Sequence, residues 1–167
     1  MKRYWDRIET PFGTFAAWVD EEGRLLRFNL RAANAERLDG EAEHNPRKLA
    51  KVRKQVNEYS AGKRQEFEFE REMEGPEFHR QVWELLMDIP FGRTTSYGAI
   101  AKKLKQPNAA RAVGAANGAN PIALIVPCHR VISSDGTLTG YGGGLPLKRK
   151  LLEHEARVAG VPFDLFA

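Results

Sequence analysis

Cysteine is almost missing from this chain: among its 167 residues there is one, Cys128. A single thiol excludes an internal disulfide and suits a reducing compartment. His44, His79 and His154 form no ligand-like spacing with it, so no metal site is expected. Long apolar runs are missing too, since no stretch approaches the roughly 20 residues that a bilayer helix needs. The opening "MKRYWDRIET" lacks an apolar signal core, which predicts a chain that is not secreted and works in the cytoplasm. What is present is a globular balance, 42% hydrophobic and 29% charged, enough for one ordinary domain or two small ones.

Net charge is missing from one half only. Residues 1–74 carry 15 Lys and Arg against 15 Asp and Glu, whereas residues 75–155 carry 10 against 6. The whole excess of +4 therefore sits in the half that holds Cys128. A basic half is a mild signature of a polyanionic partner, although a solvated basic face gives the same count.

The first thirty residues look like short strands, with "FGTFAAWV" and "RLLRFNL" flanking the turn "DEEG". Residues 31–45 are polar and read as loop. Leu49, Val52, Val56 and Tyr59 recur at helical spacing, and Gly62 is a plausible stop. "FEFE" reads as a short alternating strand, and 71–75 as a linker. From Pro76, a residue suited to a first helical position, Phe78, Val82, Leu85, Leu86 and Ile89 form one apolar face. "TTSYGAIAKKL" begins with cap-forming residues and predicts a short helix carrying Tyr97, Ile100 and Leu104. "KQPN" is a turn, and "AARAVGAANG" a third helix. Two short helices in the basic half resemble a helix-turn-helix.

The third helix is a poor reader of base sequence. Direct readout needs long polar side chains, and Ala109, Ala110, Ala112, Gly114, Ala115 and Ala116 supply almost none. Small residues let the backbone approach closely, and one long side chain, Arg111, projects. That suits sequence-independent groove contact with one inserted arginine. The competing reading is an alanine-rich core helix.

"NPIALIVP" leads into Cys128 and reads as a buried strand that Pro127 ends. On a regular strand neighbours point to opposite faces, so His129 would reach the Cys128 sulfur only through a turn or a bridging water. A thiol with an ordinary pKa near about 8.5 needs such help, because its thiolate fraction at neutral pH is small. A histidine base oriented by a carboxylate supplies it. Asp135, Glu153 and Glu155 are the downstream candidates, and spacing alone does not choose among them. Glu155 lies in "LKRKLLEHE", a predicted helix after the glycine-rich "GYGGG".

"PCHRVI", preceded by "AARAVG" and "NP" and followed by "GYGGG" and "LLEHE", resembles the O6-alkylguanine-DNA alkyltransferase family. The pattern runs through residues 76–155, and "TPFGTF" is similar to that family's N-terminal domain. The resemblance implies an α+β fold. A small N-terminal antiparallel sheet with a helix, ribonuclease H-like, would span 1–74 as a scaffold. A mainly helical domain with a helix-turn-helix would span 75–167 and hold both DNA contact and alkyl acceptor.

It further implies a suicide repair protein that takes an alkyl group from O6 of guanine, or O4 of thymine, and is not regenerated. Cys128 would be the acceptor, His129 its base through a water, and Glu155 the orienting carboxylate. Asn120 would support the turn, and Tyr97 would protonate the leaving guanine. Arg111 would fill the gap left by a flipped nucleotide, with Ala110, Thr95 and Tyr97 also against DNA. Tyr141, Gly142, Gly143 and Val131 would border the base pocket, and Arg130 would brace the site. The implied partner is double-stranded DNA containing O6-alkylguanine, met by a monomer with no membrane contact and no cofactor. Some members hold zinc in the N-terminal domain through cysteine, and none precedes Cys128 here. Rival readings are a non-catalytic lesion binder, which carries tryptophan in place of Cys128, a cysteine hydrolase, and a helix-turn-helix regulator.

Overall fold

The computed structural model describes residues 1–163, so the last four residues of the expected second domain lie outside the described residues. The chain mixes α and β elements in two compact units. The first comprises residues 1–73 together with 121–125, and the second residues 74–120 together with 126 onward. Among the described residues no helix is long and apolar enough to cross a membrane.

The first unit is built on three antiparallel strands and a short parallel one, in the order β3-β2-β1-β4. Strands β1 (Arg3–Thr10) and β2 (Gly13–Asp20) are joined by a tight turn, with Arg3 opposite Asp20 and Thr10 opposite Gly13. β2 buries every residue from Phe15 to Asp20, the mark of a central strand covered on both faces. β3 (Leu25–Asn29) follows after a turn that the Asp20 carboxylate organises by accepting from the Glu22 and Arg24 backbone N–H groups, each at 2.9 Å. The stretch expected as loop, 31–45, contains a helical turn, α1 (Ala35–Leu38), and a two-residue strand, β4 (Glu43–His44). Helix α2 (Ala50–Ser60) buries Val52, Val56 and Tyr59 at the anticipated spacing. It stops at Gly62, whose φ of 76° is a left-handed conformation that glycine adopts at little cost.

"FEFE" is not a strand. Its partner is the buried Gln55 side chain, which accepts from the Glu68 N–H at 2.8 Å and donates to the Glu68 carbonyl at 3.3 Å. The segment's end is also held by β3: the Leu25 N–H donates to the Glu70 carbonyl at 2.8 Å, and the Glu72 N–H donates to the Leu25 carbonyl at 3.1 Å. Only Arg71 makes a bridge, to Leu25.

In the second unit, α3 (Glu77–Met87) begins one residue after Pro76 and buries Val82, Trp83 and Leu86. Phe78 and Leu85, assigned to the apolar face, are only half-buried, while Trp83 was not anticipated there. The Trp83 indole donates to the Ala116 carbonyl at 2.8 Å and so ties α3 to a later helix. A two-stranded parallel ladder pairs β5 (Thr95–Ser96) with β6 (Val131–Ile132). Helix α4 (Tyr97–Lys103) is capped by Ser96, whose hydroxyl accepts from the Ala99 N–H. A turn closed by the Ala109 N–H on the Gln106 carbonyl leads to α5 (Ala110–Gly118). The last helix, α6 (Leu145–Ala159), buries Lys148, Leu151, Leu152 and Glu155 along one face.

"NPIALIVP" is buried as expected, but it is not a strand. Ile122 makes one bridge to Phe28, and the Phe28 N–H donates to the Pro121 carbonyl. The chain then turns at Leu124, which has a φ of 70°. Its apolarity reported burial, while the prolines at both ends and the turn at Leu124 removed the ladder that a strand requires.

Candidate active site

Cys128 opens a single 3₁₀ turn, Cys128–Arg130, that leads directly into β6. The alternation of a regular strand therefore does not apply to Cys128 and His129, which share a turn. Two asparagines hold this turn by its carbonyls. Asn120 donates to the Val126 carbonyl at 2.8 Å, and Asn117 donates to the Cys128 carbonyl at 3.2 Å. Asn117 is buried on the inner face of α5 beside Val113 and Ala116. The sequence reading missed it, although a polar residue on the buried face of a small-residue helix was a usable signal.

The turn delivers His129 and Arg130 to one carboxylate on α6. His129 Nε2 lies 2.7 Å from Glu155 Oε2. Arg130 donates through Nε to Oε1 at 2.7 Å and through a second nitrogen to Oε2 at 3.2 Å. Its remaining terminal nitrogen donates to the Ile89 carbonyl, and its plane lies over the Phe91 ring. Glu155 has no exposed surface, whereas Glu153 is 44% exposed and paired with Arg149 one turn away. Asp135 is engaged in its own loop, accepting from the Thr137 N–H and hydroxyl. Among the three carboxylates left open by spacing, Glu155 is the one at His129.

Burial works to raise the Glu155 pKa, but His129 and Arg130 outweigh it and hold the carboxyl well below the usual carboxylate range. For His129 burial dominates and lowers the pKa, with Glu155 opposing. The imidazole is therefore neutral at neutral pH. With Nε2–H donating to Glu155, the lone pair is on Nδ1, a buried atom with no hydrogen-bond partner among the described residues. That is the form of a base.

Two further titratable side chains are electrostatically coupled to Cys128. Lys148 is fully buried, and burial pulls its pKa down to about 8 while the charge of Cys128 resists. Its ammonium lies 6.0 Å from the Tyr141 ring centroid. Burial, then Cys128 and Glu155, push the Tyr141 phenol well above its ordinary value, so it stays protonated. Lys148 was missed because a lysine in a charged stretch reads as solvated. Its spacing to Leu151, Leu152 and Glu155 put it on the inner face all the same.

Tyr97, Ala110 and Arg111 meet at an open cleft of about 570 Å³ between α4, α5 and the loop after β6, which Gly114, Ser133 and Thr139 also line. Arg111, Ala112, Ala115 and Gly118 are exposed, so one face of α5 is a smooth surface carrying a single arginine. Thr95 sits in β5 opposite Val131. Val131 is wholly buried, Gly143 is half-buried, and Gly142 is exposed. His44 bridges to Asp6, and His79 packs on Trp83. Among the described residues no three His, Cys, Asp or Glu side chains converge as metal ligands would.

Comparison with known proteins matches residues 77–157 to the family described as 6-O-methylguanine DNA methyltransferase, DNA binding domain. A methylated-DNA–protein-cysteine methyltransferase of Mycolicibacterium paratuberculosis is 52% identical over 122 residues, 73% of this chain and 74% of the relative. One from Methanosarcina acetivorans is 42% identical over 153 residues, 91% of this chain and 97% of the relative. The crystal structure of the Mycobacterium tuberculosis O6-methylguanine methyltransferase superposes with a TM-score of 0.85 at 41% identity, covering 97% of this chain and 96% of the other. The same organism's OGT in complex with DNA gives 0.83 at 40%, covering 93% and 94%.

Proposed function

This chain belongs to the methylated-DNA–protein-cysteine methyltransferase family, and on that premise we propose that it repairs DNA by moving an alkyl group from O6 of guanine onto its own Cys128. The observation that carries the reading is the buried junction of His129, Arg130 and Glu155 directly after the buried Cys128, with a neutral imidazole whose Nδ1 is open to a proton.

His129 takes the Cys128 proton, directly or through a water, and Glu155 stabilises the imidazolium that forms. The thiolate attacks the alkyl carbon. A carbon–sulfur bond forms, the carbon–O6 bond breaks, and the electron pair stays with guanine. Tyr97 donates the proton that makes guanine a better leaving group. The product thioether has no nucleophile to release it, so each chain acts once. Arg130 braces Glu155 and the turn and does not touch the alkyl group.

Cys128 is only 5% exposed, out of reach of a base stacked inside a duplex. The target nucleotide must therefore rotate out, at a cost of a few kcal/mol. We read α4, its turn and α5 as the helix-turn-helix that meets DNA, with Arg111 inserted into the vacated stack and Ala110 and Thr95 against the backbone. The smooth exposed face of α5 fits a repair protein that must work in any sequence. Tyr141, Gly142, Gly143 and Val131 border the space for the flipped base. A reducing cytoplasm suits a thiol that must stay reduced until it is used.

The test is to incubate the protein with duplex DNA bearing O6-methylguanine and to map its peptides by mass. One methyl group on the Cys128 peptide is expected, and none in Cys128→Ala. Methyl on another residue would overturn the assignment.

A further inference from the structure

Thr139 is held from two directions in the loop between β6 and α6. Its backbone carbonyl accepts from the Lys148 ammonium at 2.7 Å. Lys148 is fully buried, and a buried ammonium is stable only where its hydrogen bonds are met, so this contact fixes the loop at Thr139. The Thr139 hydroxyl is the middle member of a chain. Ser133 Oγ donates to Thr139 Oγ1 at 3.5 Å, and Thr139 Oγ1 donates to Tyr97 Oη at 3.3 Å.

The surrounding elements bring these groups together. Ser96 pairs with Ile132 at the ends of β5 and β6, so Tyr97, the first residue of α4, and Ser133 follow directly after a paired position. The Tyr97 ring rests against α5 at Gly114, where an added Cβ would stand 3.9 Å from two ring carbons. With the ring so placed, the remaining freedom of the phenol is the direction of its O–H bond, and hydroxyl rotors follow their partners. A donor already on Oη turns the Tyr97 hydrogen away from Thr139. That donor also stabilises the phenolate that forms when the proton leaves.

We infer that Thr139 is a positioning residue: its hydroxyl aims the Tyr97 O–H into the cleft and supports the phenolate during transfer. The inference rests on the reading of Tyr97 as proton donor to the leaving guanine. Thr139 keeps its own proton throughout, and the proton that reaches guanine comes from Tyr97.

A double-mutant cycle tests it, read as the single-turnover rate of methyl transfer from O6-methylguanine in duplex DNA, with DNA affinity measured alongside. Thr139→Val should slow transfer about 2- to 10-fold, the range of one net hydrogen bond, while Thr139→Ser should fall within about 2-fold of wild type. DNA affinity should fall by less than the transfer rate does. In a Tyr97→Phe background, Thr139→Val should cost nothing further, because there is no phenol left to aim. Thr139→Ala gives a second reading of the same cycle should the valine variant fold poorly.

Equal losses in both backgrounds, an unchanged rate in Thr139→Val, or a Tyr97→Phe variant that transfers like wild type would overturn the inference. A wild-type protein that takes up no methyl group would overturn the functional reading and this inference with it. A reactive wild type with an additive cycle would overturn this inference alone.

Discussion

Asp20 and Glu155 are both carboxylates without exposed side-chain surface, one in each unit, and they are satisfied in opposite ways. Asp20 is met by its own loop: the Glu22 and Arg24 N–H groups and the Arg24 guanidinium, all within four residues. Glu155 is met by His129 and Arg130, which lie 26 and 25 residues away. In both, burial pushes the pKa up and the partners more than reverse it. The first arrangement closes a turn and leaves nothing over. The second leaves a histidine nitrogen without a hydrogen-bond partner among the described residues, on the residue that follows the one thiol of the chain. The electrostatics are alike, and what separates structure from chemistry is whether a partner retains an unused atom.

The comparison breaks most visibly at Glu155. Glu155→Gln leaves Arg130 a buried cation without its counter-charge, a loss of about 3–5 kcal/mol by denaturant titration. It also removes the group that orients His129, so transfer should slow by about 100-fold or more. Asp20→Asn should cost only about 1–2 kcal/mol, because the amide oxygen still accepts from both N–H groups and the partly exposed Arg24 guanidinium, which loses Oδ2, regains water. Its transfer rate per folded molecule should equal wild type. A slow Asp20→Asn would mean that the turn reaches the chemistry after all.

Acid gives the smallest effect and the finest discrimination. Both carboxylates are held low, so their stabilisation is complete above the unfolded carboxylate pKa of about 4 and is lost as pH falls through the folded values. His129 adds an earlier loss in the second unit alone. Burial holds its pKa below the ordinary 6.5, so from about that pH downward the unfolded chain binds its proton first and stability falls. One proton limits the slope to about 1.4 kcal/mol per pH unit. Urea midpoints from about pH 7.5 to 5 should show this limb in wild type and lose it in His129→Gln.

What could be read in the sequence was what local rules decide. The Gly62 stop, the Ser96 cap and the inner face of α2 each depend on neighbours a few residues away. "FEFE" and "NPIALIVP" failed as strands because a strand needs a continuous ladder, and in "FEFE" the Gln55 side chain holds Glu68 while β3 reaches only Glu70. Cys128, His129 and Arg130 stood out through their motif. Glu155 could have been chosen over Glu153 by helical arithmetic, since Lys148, Leu151, Leu152 and Glu155 share one face. The same arithmetic would have found Lys148 and Asn117, two polar residues that composition assigns to solvent. Thr139 carried no such signal, because its partners come from separate elements.

The central claim is that Cys128 is consumed by the reaction, and stoichiometry tests it most directly. With O6-methylguanine duplex in large excess, repaired guanine should plateau at one per protein chain and rise no further on longer incubation. Repair that continues past one equivalent would contradict the account, because it would require a thiol that is regenerated.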